Sequence, residues 1–544
     1  MTLRAAPAIE QRRAERALLL AVVAASLGCT TIDDVVFDPV GLDHGGEPLV
    51  LREDAGMVEV PLRLSQAPTV AVSARFTLTE IDAQSSCQAP DFFGASGRVE
   101  WSAGAAEARI AVVVVDDDVA ELDEAFAVKL DAFTGLELAS DELRLVIEDD
   151  DRSGIVDARA AYGFEPGLAE DQSTALDAAL QAARALGRGV VAVAPGDYEV
   201  TSASVAPGTT LSGRGARFHR PIGAENGEHE LSIGYTGASD SPRTLVEGLA
   251  LDGRRERQGA YQDDELSDSH LIALASSPQI SARLRVALEG LTLSEGTGSG
   301  VFVGPQVDAT LCRLHTTDLW RDAVTLRGGG ATLDIRQLDA RAAVGTTGLW
   351  FDGQPSGFGG THRIGVTIED TELGSGDLEI EAYDGSRIEL TRFGMARGPL
   401  RIQAPNGTVS ITDSVLSTGI PSLVHDFFGL PHDVTLTRTT LVVSPTDETG
   451  MDVPLDEPTL AVTNVRWQLA SNDDLPPLLP AAPSPHTLLL DQCTFERGAD
   501  VPETTRVYAV ESTATGGNVI VRQPKLGAGV ESLSPECSGC RLDP

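Results

Sequence analysis

Positive charge is what this chain has least of. Its 544 residues carry 41 Lys and Arg against 81 Asp and Glu, a formal charge of −40. No basic patch interrupts that excess, so a nucleic-acid backbone finds nothing to neutralise it, and nucleic acid is excluded as a partner. The same field disfavours acidic glycans unless a cation bridges the two. Cysteine is also sparse: Cys29, Cys87, Cys312, Cys493, Cys537 and Cys540 are too few for a disulfide scaffold. Cys537 and Cys540 frame either a small disulfide loop or half a metal site, yet no second pair exists to complete a zinc centre. Long helical periodic runs are almost missing, and beyond the N-terminus no segment is apolar enough to span a bilayer.

What fills the chain instead is glycine (55), proline (30) and frequent Val and Thr, a composition of strands and turns. The length is too great for one ordinary core, which predicts two or more domains.

The sharpest local feature is Val112–Phe126, VVVVDDDVAELDEAF. Four valines read as a buried strand, and carboxylates crowd its end. Such a cluster repels itself unless a cation sits within it, and all-oxygen donors suit a hard ion, Ca²⁺ first. A solvated acidic loop is the alternative. Residues 35–151 alternate apolar and polar in several short runs, such as Met57–Leu64 and Val70–Leu78. About seven strands separated by turn residues predict a β-sandwich.

Three resemblances add to this. Arg4, Arg12, Arg13 and Arg16, the apolar Ala17–Ala25 and the Ser26-Leu27-Gly28-Cys29 end resemble a bacterial lipoprotein signal. It implies lipidation at Cys29 and an outer-membrane or cell-surface location. The leucine sits one place closer to the cysteine than that motif prefers, and ordinary cleavage near Ala24–Gly28, giving a periplasmic or secreted protein, is the alternative.

Next, Glu53-Asp54-Ala55-Gly56, Ala89-Pro90-Asp91-Phe92, Gly97–Trp101 with Ala103-Gly104, the acidic run and Val146–Asp151 resemble, in order, the Calx-β family. That resemblance implies calcium held at one end of the sandwich by Glu53, Asp91, Asp116, Asp117, Glu121, Asp149, Asp150 and Asp151. Asp118, Asp123, Glu124 and Glu148 are left as outer or solvated groups.

The third resemblance begins at Asp171–Gly187, an amphipathic helix with a Thr174-x-x-Asp177 capping box. Gly189–Ala194, Pro195-Gly196-Asp197-Tyr198 and Leu211–Gly215 follow. Together they resemble the N-terminal cap and first coils of pectin-lyase-like right-handed β-helices. The chain then repeats: Leu291, Leu314, Leu338, Leu373, Phe393, Leu416 and Leu441 stand 23, 24, 35, 20, 23 and 25 residues apart. Strands at a coil-sized period without helices between them mean a β-solenoid. Loops are expected at Gln258–Asp268 and Gly353–Thr361.

The sequence thus predicts an all-β chain. Residues 1–29 are a signal, 30–152 an immunoglobulin-like Calx-β sandwich, 153–520 a single-stranded right-handed parallel β-helix interrupted at about 444–486, and 521–544 a tail.

Pectin-lyase-like helices are often polysaccharide lyases or hydrolases. The carboxylate-rich segments a hydrolase of that kind uses are absent here, since only Asp322 keeps a carboxylate. Asp318, Arg321, Asp322 and Asp352 remain catalytic candidates of a lyase type, as do Asp252, Asp263 and Asp264. Outward polar side chains are also the ordinary furniture of a solenoid face. Trp320 and Trp350, on adjacent coils, either stack on sugar rings or fill the core. The expected function is a calcium-binding surface protein whose rod binds carbohydrate or a cell-surface partner. A divergent polysaccharide lyase or hydrolase and a purely structural rod are the alternatives.

Overall fold

A computed structural model describes residues 48–81, 92–93, 96–131, 142–222, 229–254, 269–276, 282–341, 347–352, 363–374, 377–381, 385–395, 400–403 and 407–418. It also describes the strands 433–437, 440–443, 466–467, 486–491, 494–495, 507–512, 517–522, 525–526, 530–533 and 540–543. Cys29, Asp91, Asp263, Asp264, the loops expected at Gln258–Asp268 and Gly353–Thr361, and almost all of 444–486 lie outside the described residues.

Alternating patterns build the first unit. Strands β1 (Leu49–Arg52), β2 (Met57–Arg63), β3 (Val72–Glu80), β4 (Phe92–Phe93), β5 (Ser96–Trp101), β6 (Glu107–Val114), β7 (Glu124–Asp131) and β8 (Glu142–Glu148) form two sheets. Their orders are β1-β8-β7-β3-β5 and β2-β6-β4. Most strands turn alternate side chains inward, as β6 does with buried Ile110, Val112 and Val114, while β7 buries its first five residues in a row. Trp101 is fully buried, and its indole N–H donates to the Leu62 carbonyl at 3.1 Å. β1 runs parallel to β8, so Glu53, just past β1, and Asp149–Asp151, just past β8, emerge at the same end.

No long linker separates the units. β9 (Gly154–Asp157) starts almost at once and pairs in parallel with β10 (Gly189–Ala192). Between them lie helices α1 (Ala158–Tyr162) and α2 (Ser173–Leu186). Leu176, Ala179, Leu180 and Ala183 of α2 cover the end of the rod core. The expected capping box is not used. Thr174 lies inside the helix, and Asp177 accepts from the Ser204 N–H at 3.1 Å. Asp171 holds the helix start through the Ser173 N–H at 3.1 Å. The helix packs so close to β10 that a Cβ at Gly189 would stand 2.3 Å from the Ala183 carbonyl oxygen.

β11 (Gly196–Glu199), β12 (Ala203–Ser204), β13 (Thr210–His219), β14 (Leu231–Tyr235) and β15 (Thr244–Asp252) begin the parallel coils. From there strands pair in parallel with the coils above and below, as Thr292–Ser294 pairs with His315–Thr317 and that with Asp339–Arg341. A second parallel sheet of eight strands collects Val301–Val303, Val324–Arg327, Thr347–Asp352, Asp377–Glu381 and Leu400–Gln403. The period leucines Leu291, Leu314, Leu338, Leu373 and Leu416, with Phe393, stack in one core at 0–1% exposure. The segment expected as a tail continues the coils: Cys540–Asp543 pairs with Gly517–Arg522. Its four residues are too few to show a period in sequence, yet the last coil offers them a ladder of unpaired backbone groups.

A corner recurs coil after coil. Arg313, Gln337, Asp370, Arg392 and Asp413 all adopt φ between +50° and +57°, and the register stacks them. Gly290 holds the same place below them at φ +60°. A single left-handed residue swings the chain between two strands, and polar side chains tolerate it at a cost of about 1–2 kcal/mol each.

Candidate metal centre

The acidic end of the sandwich is assembled from three distant segments. Glu53 sits in a 3-10 turn, Glu53–Ala55, and is buried with 7% of its surface exposed. The Asp117 N–H donates to its Oε1 at 3.3 Å. Asp117 Oδ1 accepts from the Val119 N–H at 2.7 Å and bends the acidic run into a loop. Asp149 ties that loop to the β8 end, accepting from the Glu121 N–H and the Asp151 N–H, each at 2.8 Å.

Burial and the neighbouring charges of Asp117, Asp149 and Asp151 push the Glu53 carboxyl up to about 8. Asp149 is raised by burial against the pull of its backbone donors and Arg152. Asp151 is raised by burial and by Asp149, Asp150 and Asp116, despite Arg188. Burial is the largest cause in each case, like charges add to it at Glu53 and Asp151, and these carboxylates resist ionising without a further positive charge. Hard oxygen donors in this state suit a divalent cation of calcium's class.

The structure brings together Glu53, Asp117, Asp149 and Asp151, with Glu121 joined through its backbone and Asp116 near enough to act on Asp151. Asp150 points outward, its carboxylate 3.4 Å from Arg52. Asp91 lies outside the described residues. Among the described residues no three side chains are already arranged as a closed ligand set.

Of the groups expected to be outer or solvated, Glu148 is exposed and the other three are paired. Asp123 meets Arg152 at 2.6 Å, Asp118 meets Arg285 at 3.5 Å, and buried Glu124 meets Arg214 at 3.4 Å. The acidic loop also rests on the rod: Val119 packs with Leu245 and Ala287, and the Thr210 hydroxyl donates to the Ala120 carbonyl. Sequence reasoning missed the arginines of this junction, Arg152, Arg188, Arg214 and Arg285. Only the arginine directly after the Asp149–Asp151 triplet was a visible signal.

On the rod, the four catalytic candidates do not converge. Asp322 is buried and accepts from the Thr325 hydroxyl, which in turn bonds Ser299 at 2.7 Å. Asp352 pairs in register with Arg327 at the far end of the strand Val324–Arg327, whereas Asp322 precedes that strand. Asp318 is exposed in a left-handed turn and Arg321 half-buried beside it. Trp320 and Trp350 are half-buried and neither joins the core, which removes the core-filling alternative. The Arg327 guanidinium lies 5.4 Å above the Trp350 ring and covers that face.

Asp252, the described member of the second candidate group, lies in a rod cluster around His219 whose other members the sequence did not reveal: His219 Nδ1 is 3.0 Å from Asp252 and Nε2 is 3.0 Å from Asp197. Beside it Arg254 pairs with Glu199 at 2.8 Å. Glu230 is fully buried nearby, both carboxylate oxygens lacking a hydrogen-bond partner, and burial raises its pKa well above the ordinary range.

Residues 45–151 match the family model of the Calx-beta domain. Among solved structures, the calcium binding domain CBD12 of CALX1.1 is 28% identical over 22% of this chain and 48% of its own, with a TM-score of 0.19. This chain thus spans about half the length of that relative. The mannuronan C-5 epimerase AlgE4 A-module of Azotobacter vinelandii is 12% identical, over 72% of this chain and 100% of that one, at a TM-score of 0.40. The family 28 exopolygalacturonase of Yersinia enterocolitica is 9% identical, over 89% and 95%, at 0.42. No curated protein matches the chain.

Proposed function

We propose that this chain is an exported, lipid-anchored calcium-binding surface protein whose rod engages carbohydrate or a cell-surface partner. The observation that carries the calcium reading is Glu53: a carboxyl pushed up to about 8 by burial first and then by three aspartates from two other segments. Glu53, Asp116, Asp117, Glu121, Asp149 and Asp151 would hold the ion, with Asp91 and Asp150 completing the set the sequence suggests. The bound ion supplies the positive charge that lets these groups ionise together. The Calx-beta match over 45–151 supports the same reading.

Cys312 is disulfide-bonded, which suits an oxidising compartment and so supports export. Anchoring rests on the residue pattern around Cys29; a Cys29→Ser chain recovered in the membrane fraction would contradict it. For the rod, binding is favoured over catalysis because Asp322 is tied to Thr325 and stands apart from Asp352.

Calcium titrated calorimetrically into the chelator-treated full chain tests the central claim. Saturable binding that Glu53→Gln abolishes is expected; heat indistinguishable from dilution would refute it.

A further inference from the structure

Resting on the calcium reading above, we propose that Arg188 and Arg152 are resident counter-cations which compete with calcium for the sandwich tip, so that the rod sets the tip's affinity. Arg188 belongs to the rod. It directly precedes β10, and its carbonyl accepts from the Ser153 N–H at 2.7 Å, which fixes its backbone beside the end of the acidic triplet. Its guanidinium donates to Asp151 Oδ1. Arg152 folds back over the acidic loop: it reaches Asp123 at 2.6 Å, the Glu121 carbonyl at 3.2 Å and Asp149 Oδ2 at 3.9 Å.

Asp149 and Asp151 thus already face these two arginines, and Asp150 faces Arg52 at 3.4 Å on the outer side. A guanidinium cannot shed its proton, so it stays charged when calcium arrives. It must give up the carboxylate lone pairs calcium needs and remain as a repelling neighbour a few ångströms away. Each arginine meets one carboxylate of the group, Arg188 at Asp151 and Arg152 at Asp149. Their effect is to hold the loop in shape and weaken the ion, rather than to replace it.

Arg285 supplies the control. It contacts Asp118 at 3.5 Å, an exposed aspartate outside the group formed by Glu53, Asp149 and Asp151. Arg188 and Arg285 both come from the rod and both meet the same end of the sandwich, but only Arg188 touches a carboxylate proposed as a ligand.

The test is calorimetric calcium titration of full-length variants, with unfolding followed by circular dichroism. Arg188→Gln should tighten the calcium dissociation constant at least about fivefold, the effect of removing one like charge near the ion. Arg188→Lys should stay close to wild type, and Arg285→Gln should not move it. In an Asp151→Asn background Arg188→Gln should lose its effect. Should Arg188→Gln fail to fold, Arg152→Gln carries the same expectation. Unchanged or weaker binding in the folded Arg188→Gln chain, with the wild type binding, would overturn the competition alone. A wild-type chain that binds no calcium would remove the calcium reading and this inference with it.

Discussion

The sandwich tip and the rod treat their carboxylates in opposite ways. At the tip Glu53, Asp149 and Asp151 are all raised, by burial first and, at Glu53 and Asp151, by neighbouring aspartates as well. On the rod Asp252, Asp339 and Asp370 are all lowered, each by a cationic side chain bonded to it: His219, Arg341 and Arg392. A stacked architecture explains the rod. Register places a partner one coil away or two residues along, so charges cancel locally. The tip instead gathers one sign of charge from three chain segments. Where a fold concentrates like charge under cover and keeps it, a ligand of opposite charge is the economical explanation. Glu230 is the rod's exception among the described residues, raised by burial and with no hydrogen-bond partner there for its carboxylate oxygens.

The comparison can be broken most directly with calcium itself. At a hundredfold excess over its dissociation constant, calcium should stabilise the sandwich by about 2.7 kcal/mol and leave the rod's unfolding transition in place. Two transitions in a thermal melt, only the sandwich's shifting, is the expected record. A shift in neither, or in both equally, would erase the contrast.

Breaking the rod's own pairing comes next. Asp252→Asn removes the carboxylate on one side of His219 and should cost the rod about 1–3 kcal/mol in urea unfolding at neutral pH. The sign follows from both partners. His219 is raised, so its contribution is present below the ordinary histidine value of 6.5 and lost as pH climbs through its folded pKa. Asp252 is lowered, so its contribution is present above 3.8 and lost as pH falls through its folded value. The mutation should therefore matter most at mildly acidic pH and least at either extreme.

A pH profile without calcium sharpens the difference further. Glu53 binds its proton more tightly folded, at about 8, than at its ordinary 4.5. Between those values the unfolded chain holds fewer protons, so sandwich stability should decline as pH rises across that window. Glu53→Gln should flatten the decline, and saturating calcium should do the same. A sandwich that grows more stable from pH 5 to 8 without calcium would contradict the assignment.

The smallest effect is expected at Arg392, an exposed arginine bridging Glu369 and Asp370 on the next coil. Surface pairs contribute little, so Arg392→Ala should leave the rod's midpoint unmoved within error. A clear loss would mean that the coil-to-coil ladders matter more than the core leucines beneath them.

Much of this was legible beforehand, for reasons that differ by region. The apolar period survives in sequence because each core leucine must return after one coil, and Leu291, Leu314 and Leu338 do so in the stack. The acidic ligand candidates were named from two signals: a carboxylate-rich run at a strand end, which suits a hard cation, and the resemblance to the Calx-β family at Glu53, Asp91 and Asp149–Asp151. The arginines facing them were not, because Arg188 and Arg285 lie far along the chain from the acidic loop and only docking brings them there. The capping box failed because Asp177 found a better donor in Ser204, a partner from another strand. The catalytic quartet looked plausible by coil number alone, yet strand register sets Asp322 and Asp352 apart.

By itself, then, the order of residues determined the two kinds of β architecture, through alternation in one region and a coil-length period in the other. It also determined that negative charge would gather where strands end. Only the tertiary structure decided which carboxylates lose their water, which meet an arginine and which are left facing one another. Those outcomes depend on solvent exclusion and on distances between residues far apart in the chain, and neither quantity exists until the chain is folded.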